Sequence, residues 1–146
     1  MKISFDLDDT IIPSTKEDFP TEKRSLLQRI LGIELLREGT GEVIRKLQAS
    51  GNTVGIYTTS YRSTTKIRFQ FWTYGISVDF VINETLNRKT LSKTNVHTSK
   101  YPPAFHIDLH IDDSEGVARE GHLHNFTTII IKRQDSTWQE KILNSL

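Results

Sequence analysis

Five short runs rich in β-branched and aliphatic residues alternate with stretches whose apolar residues recur at helical spacing. No other feature restricts the fold as strongly. The runs lie at Met1 to Phe5, Thr53 to Tyr57, Val78 to Ile82, Ile107 to Ile111 and Thr127 to Ile131, and their length and composition suit strands. Between the first two, Leu26, Leu27, Ile30, Leu31, Leu35 and Leu36 predict one long helix from Thr21 that stops at Gly39. Its wide apolar face predicts core packing, with a small lid or an oligomer contact as the alternatives. A second helix is expected with Thr40 as N-cap, Val43, Ile44 and Leu47 on one face, and Gly51 as its end. Helices are also expected from Ser63 to Tyr74, Ser114 to His124 and Thr137 to Leu146, whereas Asn83 to Lys100 reads as a loop with one weak helical turn. In the third helix Trp72, Phe69 and Phe71 read as core rather than as a base-stacking platform. The alternation predicts an α/β chain: a single-domain, Rossmann-like parallel sheet with helices on both faces, binding ligands beyond the carboxyl ends of its strands.

Composition narrows the function classes. A length of 146 residues suits one domain. The longest apolar stretches, such as Ile129-Ile130-Ile131, are strand-sized, so no membrane partner is expected. The apolar start is broken at once by Asp6, Asp8 and Asp9, which leaves no secretory h-region and makes a cytoplasmic location the expectation. Absence of cysteine removes disulfides and thiolate metal sites. Net charge is +1, yet from Tyr61 to Lys100 seven basic residues face only Asp79 and Glu84. Such a tract reads mainly as solvated surface, and otherwise as an attractor for a phosphate ester or nucleic acid.

The chemistry gathers where strands end. Asp6-Leu7-Asp8-Asp9-Thr10 sets three carboxylates within four residues, and like charges that close are costly without a cation. Oxygen donors without sulfur favour a hard ion such as Mg2+ over a transition metal. An acidic turn or helix cap is the bland alternative. Asp112-Asp113 follows a second strand, and Thr58-Thr59-Ser60 a third. A parallel sheet carries all three groups to one edge. Lys100 precedes the Asp112 strand and is placed to neutralise an attacking carboxylate and a transferring phosphoryl group, with Lys89 and Lys93 as rivals. His106, Asp108, His110 and Asp112 alternate on one strand face, a spacing that could hold a separate transition metal, but Asp112 is already committed to the acidic pair.

Phe5-Asp6-Leu7-Asp8-Asp9-Thr10 resembles the first motif of the haloacid dehalogenase superfamily in the form typical of its phosphatases. Thr58, Lys100 and Asp112-Asp113 resemble the second, third and fourth motifs, in family order across the whole chain. The resemblance implies a capless or minimally capped Mg2+-dependent phosphomonoester hydrolase. Asp6 would be the nucleophile that becomes aspartyl-phosphate, and Asp8 the general acid and base. Thr58, Thr59 and Lys100 would bind the phosphate. Asp6, the backbone carbonyl of Asp8, and Asp113 with Asp112 would hold the metal. An open site implies a phosphorylated small molecule, nucleotide or larger substrate, or closure by a second subunit. A catalytically silent phosphate- or nucleic-acid-binding protein on the same fold, or a phosphotransferase, are the alternatives. A receiver-type signalling module is excluded, because no Asp occurs between Gly41 and Ser77 to end a third strand.

Overall fold

In the computed structural model, which describes residues 1–146, the apolar runs become β1 (Lys2–Phe5), β2 (Thr53–Tyr57), β3 (Val81–Ile82), β4 (Leu109–Asp112) and β5 (Thr127–Ile130). All pair in parallel, in the order β3-β2-β1-β4-β5. Ile3, Phe5, Val54, Ile56, Leu109 and Ile111 are buried within one continuous core, as expected of strands covered on both faces. The connections run outwards from β1 through β2 to β3, then return across the sheet to β4 and β5. With right-handed crossovers, that reversal sets the early and late helices on opposite faces. It also makes the β1/β4 boundary the switch point of the sheet, where the loops diverge and leave a crevice. Phe5 is in register with both Ile56 and Ile111. The residues that follow these three strands therefore leave the sheet at the same edge.

The helices are α1 (Leu26–Ile30), α2 (Thr40–Ala49), α3 (Thr64–Thr73), α4 (Glu84–Leu91), α5 (Glu115–His124) and α6 (Trp138–Leu143). None is long and apolar enough to cross a membrane. In α2, Val43, Ile44 and Leu47 face the core as the periodicity predicts. Its N-cap is Gly39, at φ +85°, rather than Thr40, whose hydroxyl instead bonds the Arg37 carbonyl at 2.7 Å. Gly55 has no room for a side chain, since a Cβ there would sit 2.4 Å from the Phe80 carbonyl oxygen.

Three expectations fail. The predicted long helix is only the five residues of α1, started by a Ser25–Gln28 capping box and closed before Gly32 at φ +65°. The turn sends Ile33 and Leu36 into the protein and leaves Leu26, Leu27, Ile30 and Leu31 exposed, so the wide face is not core. Secondly, α4 is a full eight-residue helix where a loop was expected. Asn83 caps it, and Glu84 lies in its first turn, accepting from Arg88 one turn on; these local polar bonds carry no apolar period. Thirdly, Phe71 is buried, but Phe69 and Trp72 stack on each other outside the core at 5.8 Å.

Candidate active site

Strand pairing carries the chain straight into the site. The Asp6 N–H still bonds the Ile111 carbonyl of β4 at 2.8 Å, so Asp6 is positioned by the sheet itself. Leu7 then turns into the core, and its carbonyl accepts the N–H groups of Thr10, Ile11 and Ile12. This tight loop places Asp9 at φ +63°, a conformation that Asp tolerates better than most residues. Asp9 points away from the crevice, to Ser14 and Arg133.

Lys100 is the centre of the arrangement. Its buried ammonium donates to Asp6 Oδ1 and to Asp112 Oδ2, each at 2.6 Å. Burial opposes its charge, but the two carboxylates outweigh burial and hold the ammonium above its ordinary pKa. Lys89 and Lys93 are exposed on α4 and the turn after it, which leaves Lys100 as the lysine in the crevice. The Thr10 hydroxyl reaches Asp113 Oδ1 at 3.2 Å and Asp6 Oδ2 at 3.4 Å, joining the first acidic loop to the second. Asp6, Asp112 and Asp113 each bring a carboxylate oxygen within 4.8 Å of the others.

Two carboxylates on one ammonium are tuned in opposite directions. Burial pushes Asp6 up to about 6, helped by repulsion from Asp112 and opposed by Lys100. Burial also acts on Asp112, but there the bonds from His110 and Lys100 prevail and hold it well below the ordinary carboxylate range. The difference lies in donors. Asp112 accepts from Lys100, from His110 Nε2 at 2.9 Å and from the Ser114 N–H at 2.9 Å. Asp6 has Lys100 and a long contact to Thr10. Burial and Asp112 raise Asp113 as well.

His110 lies beneath this cluster, fully buried on β4. A neutral ring with its proton on Nε2 satisfies both neighbours: it donates to Asp112 and accepts from the Ser4 hydroxyl at Nδ1, 2.8 Å away. Burial and the nearby Lys100 ammonium lower its pKa to about 4, in keeping with that neutral form. The sequence places His110 and Asp112 on one strand face, yet the pair serves to hold Asp112 rather than to build a separate metal site. Asp108 instead bonds the Lys2 N–H at 2.7 Å, at the far end of β1.

Asp8 occupies the rim. Both of its oxygens accept from Arg62, at 3.0 and 2.9 Å, and the same guanidinium grips Glu34 at 2.8 and 2.6 Å. Ser60 Oγ accepts from it too, at 2.7 Å. Sequence reasoning counted Arg62 only within the basic tract and missed both partners, which lie 54 and 28 positions away. Much of that tract's charge is thus engaged: Arg62 with Asp8 and Glu34, Arg88 with Glu84, and Lys100 inside the crevice. Thr58 is buried at the end of β2, tied to β3 by its N–H and accepting the Ser60 N–H at its hydroxyl. Thr59 is exposed beside it.

The assembled edge holds a buried cation between two acids, a third acid beside them and hydroxyl groups on the adjoining strand end. With three carboxylates against one ammonium the site is acidic overall, an oxygen donor set whose excess charge a hard cation would balance. No family model matches this chain, and no curated protein does.

Proposed function

We propose that this chain is a phosphomonoester hydrolase of the haloacid dehalogenase type, working through an aspartyl-phosphate on Asp6. The observation that carries the reading is the Lys100 ammonium seated between Asp6 and Asp112 at 2.6 Å from each, at the switch point of a parallel sheet. Asp6 and Lys100, 94 positions apart in the chain, meet there with Asp112.

Donor chemistry fits Mg2+. All candidate ligands are oxygens, and three carboxylates against one ammonium leave two formal negative charges to be balanced by a divalent ion. Asp6, Asp113 and Asp112 would hold it with the Asp8 backbone carbonyl. When bound, it supplies charge neutralisation on the phosphoryl oxygens and draws Asp6 into its ionised form.

This chain's own residues then act in order. Thr58, Thr59 and the Lys100 ammonium bind the phosphoryl oxygens and orient phosphorus against Asp6. An Asp6 carboxylate oxygen attacks, the bond from phosphorus to the ester oxygen breaks, and Asp8, protonated from solvent once it is free of Arg62, delivers that proton to the leaving oxygen. The alcohol departs. Asp8 next takes a proton from water, whose oxygen attacks phosphorus and releases Asp6 with inorganic phosphate. Asp8 must leave Arg62 to perform these transfers, since both its oxygens accept from the guanidinium in this conformation. Glu34 keeps Arg62 in place while Asp8 turns. Neutral His110 holds Asp112 through both half-reactions without exchanging a proton.

Phosphate release from p-nitrophenyl phosphate, with and without Mg2+ and with Asp6→Asn alongside, tests the reading. Mg2+-dependent turnover that vanishes in Asp6→Asn is expected. Turnover that survives the substitution would sink the mechanism.

A further inference from the structure

Six of the eleven large apolar side chains that stand in solvent lie on two neighbouring elements. On α1, Leu26, Leu27, Ile30 and Leu31 are between 51% and 74% exposed, and on α3 Trp72 is 70% and Phe69 44% exposed. The two helices are joined through Gln28, the one buried residue of α1, whose Nε2 donates to the Thr73 carbonyl at 3.1 Å and to the Thr73 hydroxyl at 3.2 Å. Leu27 precedes Gln28, while Trp72 precedes Thr73 and stacks on Phe69. Both apolar groups therefore begin one residue from the same junction.

The sequence of α1 explains why its face points outwards. Positions 26, 27, 30 and 31 share one side of a helix, and Gln28 anchors the opposite side with its two bonds to Thr73. All four aliphatic side chains must then leave the protein. Their exposed area, with that of Trp72 and Phe69, is on the order of 600 Å². That is the top of the range for the largest apolar patch on a typical monomer. It is also most of the roughly 800 Å² that each partner brings to a stable interface of standard size.

Charge restricts the occupant. None of the six side chains is charged, and the only charged residue of α1 is Arg29, at the border of the apolar arc. A twofold axis sets a patch against its own copy, which a charged patch resists and this one does not. An apolar centre with a stacked aromatic pair and charge kept to the rim is the composition of a homodimer interface. We infer that this face is where two copies of the chain meet: α1 of one subunit packs antiparallel on α1 of the other, and the Trp72–Phe69 stack borders the contact on each side. The pairing is independent of the reaction at Asp6.

Sedimentation equilibrium of the full chain across the micromolar range tests it. The wild type is expected to dimerise with a Kd of about 10 µM or tighter, as interfaces of this size do. Ile30→Asp should raise Kd by at least about a hundredfold, because the twofold axis puts the new charge in both halves of the contact. Trp72→Ala should raise it by at least about tenfold. Leu123→Asp, on α5 and 79% exposed, should leave Kd within about twofold of wild type. Far-UV circular dichroism should match wild type in all three, and Trp72→Ala decides the matter where Asp disturbs the short α1. A wild type that stays monomeric throughout would overturn the inference. Were that monomer to sediment with vesicles of phosphatidylserine and phosphatidylcholine, the face would belong to a lipid surface instead. A dimer that survives both Ile30→Asp and Trp72→Ala with unchanged Kd would put the interface elsewhere and overturn the inference equally.

Discussion

Replacing the proposed nucleophile should make the metal-free protein more stable. Asp6 is buried beside one ammonium and one further carboxylate, and its pKa is raised from the ordinary 3.8 to about 6. A proton therefore binds the folded chain more tightly than the unfolded one. Asp6 favours folding most fully below pH 4, and that advantage is lost as pH rises to about 6. Above pH 6 the ionised group costs roughly 3 kcal/mol relative to its neutral form, from about 1.4 kcal/mol for each pH unit between the two values. Asparagine imitates the neutral form, keeps an oxygen to accept from Lys100, and never ionises. We predict that Asp6→Asn gains about 1–3 kcal/mol at pH 7.5 in the presence of EDTA, with the gap closing towards pH 4. Urea unfolding across this pH range measures the gap directly. The gain should shrink or reverse when Mg2+ is added, because the ion would favour the wild-type carboxylate. If Asp6→Asn is less stable than wild type at pH 7.5, or if the gap does not change with pH, then Lys100 outweighs burial and the electrostatic account of the site is wrong.

Lys100→Met would leave Asp6 and Asp112 facing each other in a closed site, and should destabilise by about 3–5 kcal/mol at pH 7.5. Adding Asp6→Asn to it should restore part of the loss in the same urea experiment. Asp113→Asn should weaken Mg2+ binding at least tenfold by isothermal titration while leaving the metal-free Tm within a few degrees of wild type; unchanged affinity would remove Asp113 from the ligand set. Gly55→Ala should destabilise by about 1–3 kcal/mol, because its Cβ would meet the Phe80 carbonyl at 2.4 Å and separate β2 from the segment before β3. An alanine variant as stable as wild type would mean that this edge yields freely.

The sheet was legible because its strands are short runs rich in β-branched and aliphatic residues, and β1 to β4 are largely buried. The acidic loop after β1 and the pair after β4 were legible for a different reason: the parallel arrangement sends every strand end to one edge. What escaped had no local signature. The bond between Asp8 and Arg62 joins residues whose spacing in sequence says nothing about their contact. His110 was visible on the face of Asp112, but its role depends on Ser4 from a neighbouring strand. Lys100 could be placed in the right segment but not separated from Lys89 and Lys93, because α4, which holds those two at the surface, is built from caps and polar bonds. For α1, the leucine spacing was truthful about helical tendency and silent about direction. Gly32 turns the chain, so that its apolar residues face outwards.

The position of β1 shapes how the protein is made. β1 is the middle strand of the finished sheet, and one of its two neighbours, β4, begins more than 100 residues later, at Leu109. Until that later segment is made, a nascent chain holds Asp6 with one flank of its strand unpaired and without Lys100 and Asp112 beside it. Pairings at such separation close slowly. Completion of the core and assembly of the acidic crevice are consequently one event, so an intermediate that lacks β4 also lacks the crevice. A chain released early would expose an apolar strand without the assembled crevice.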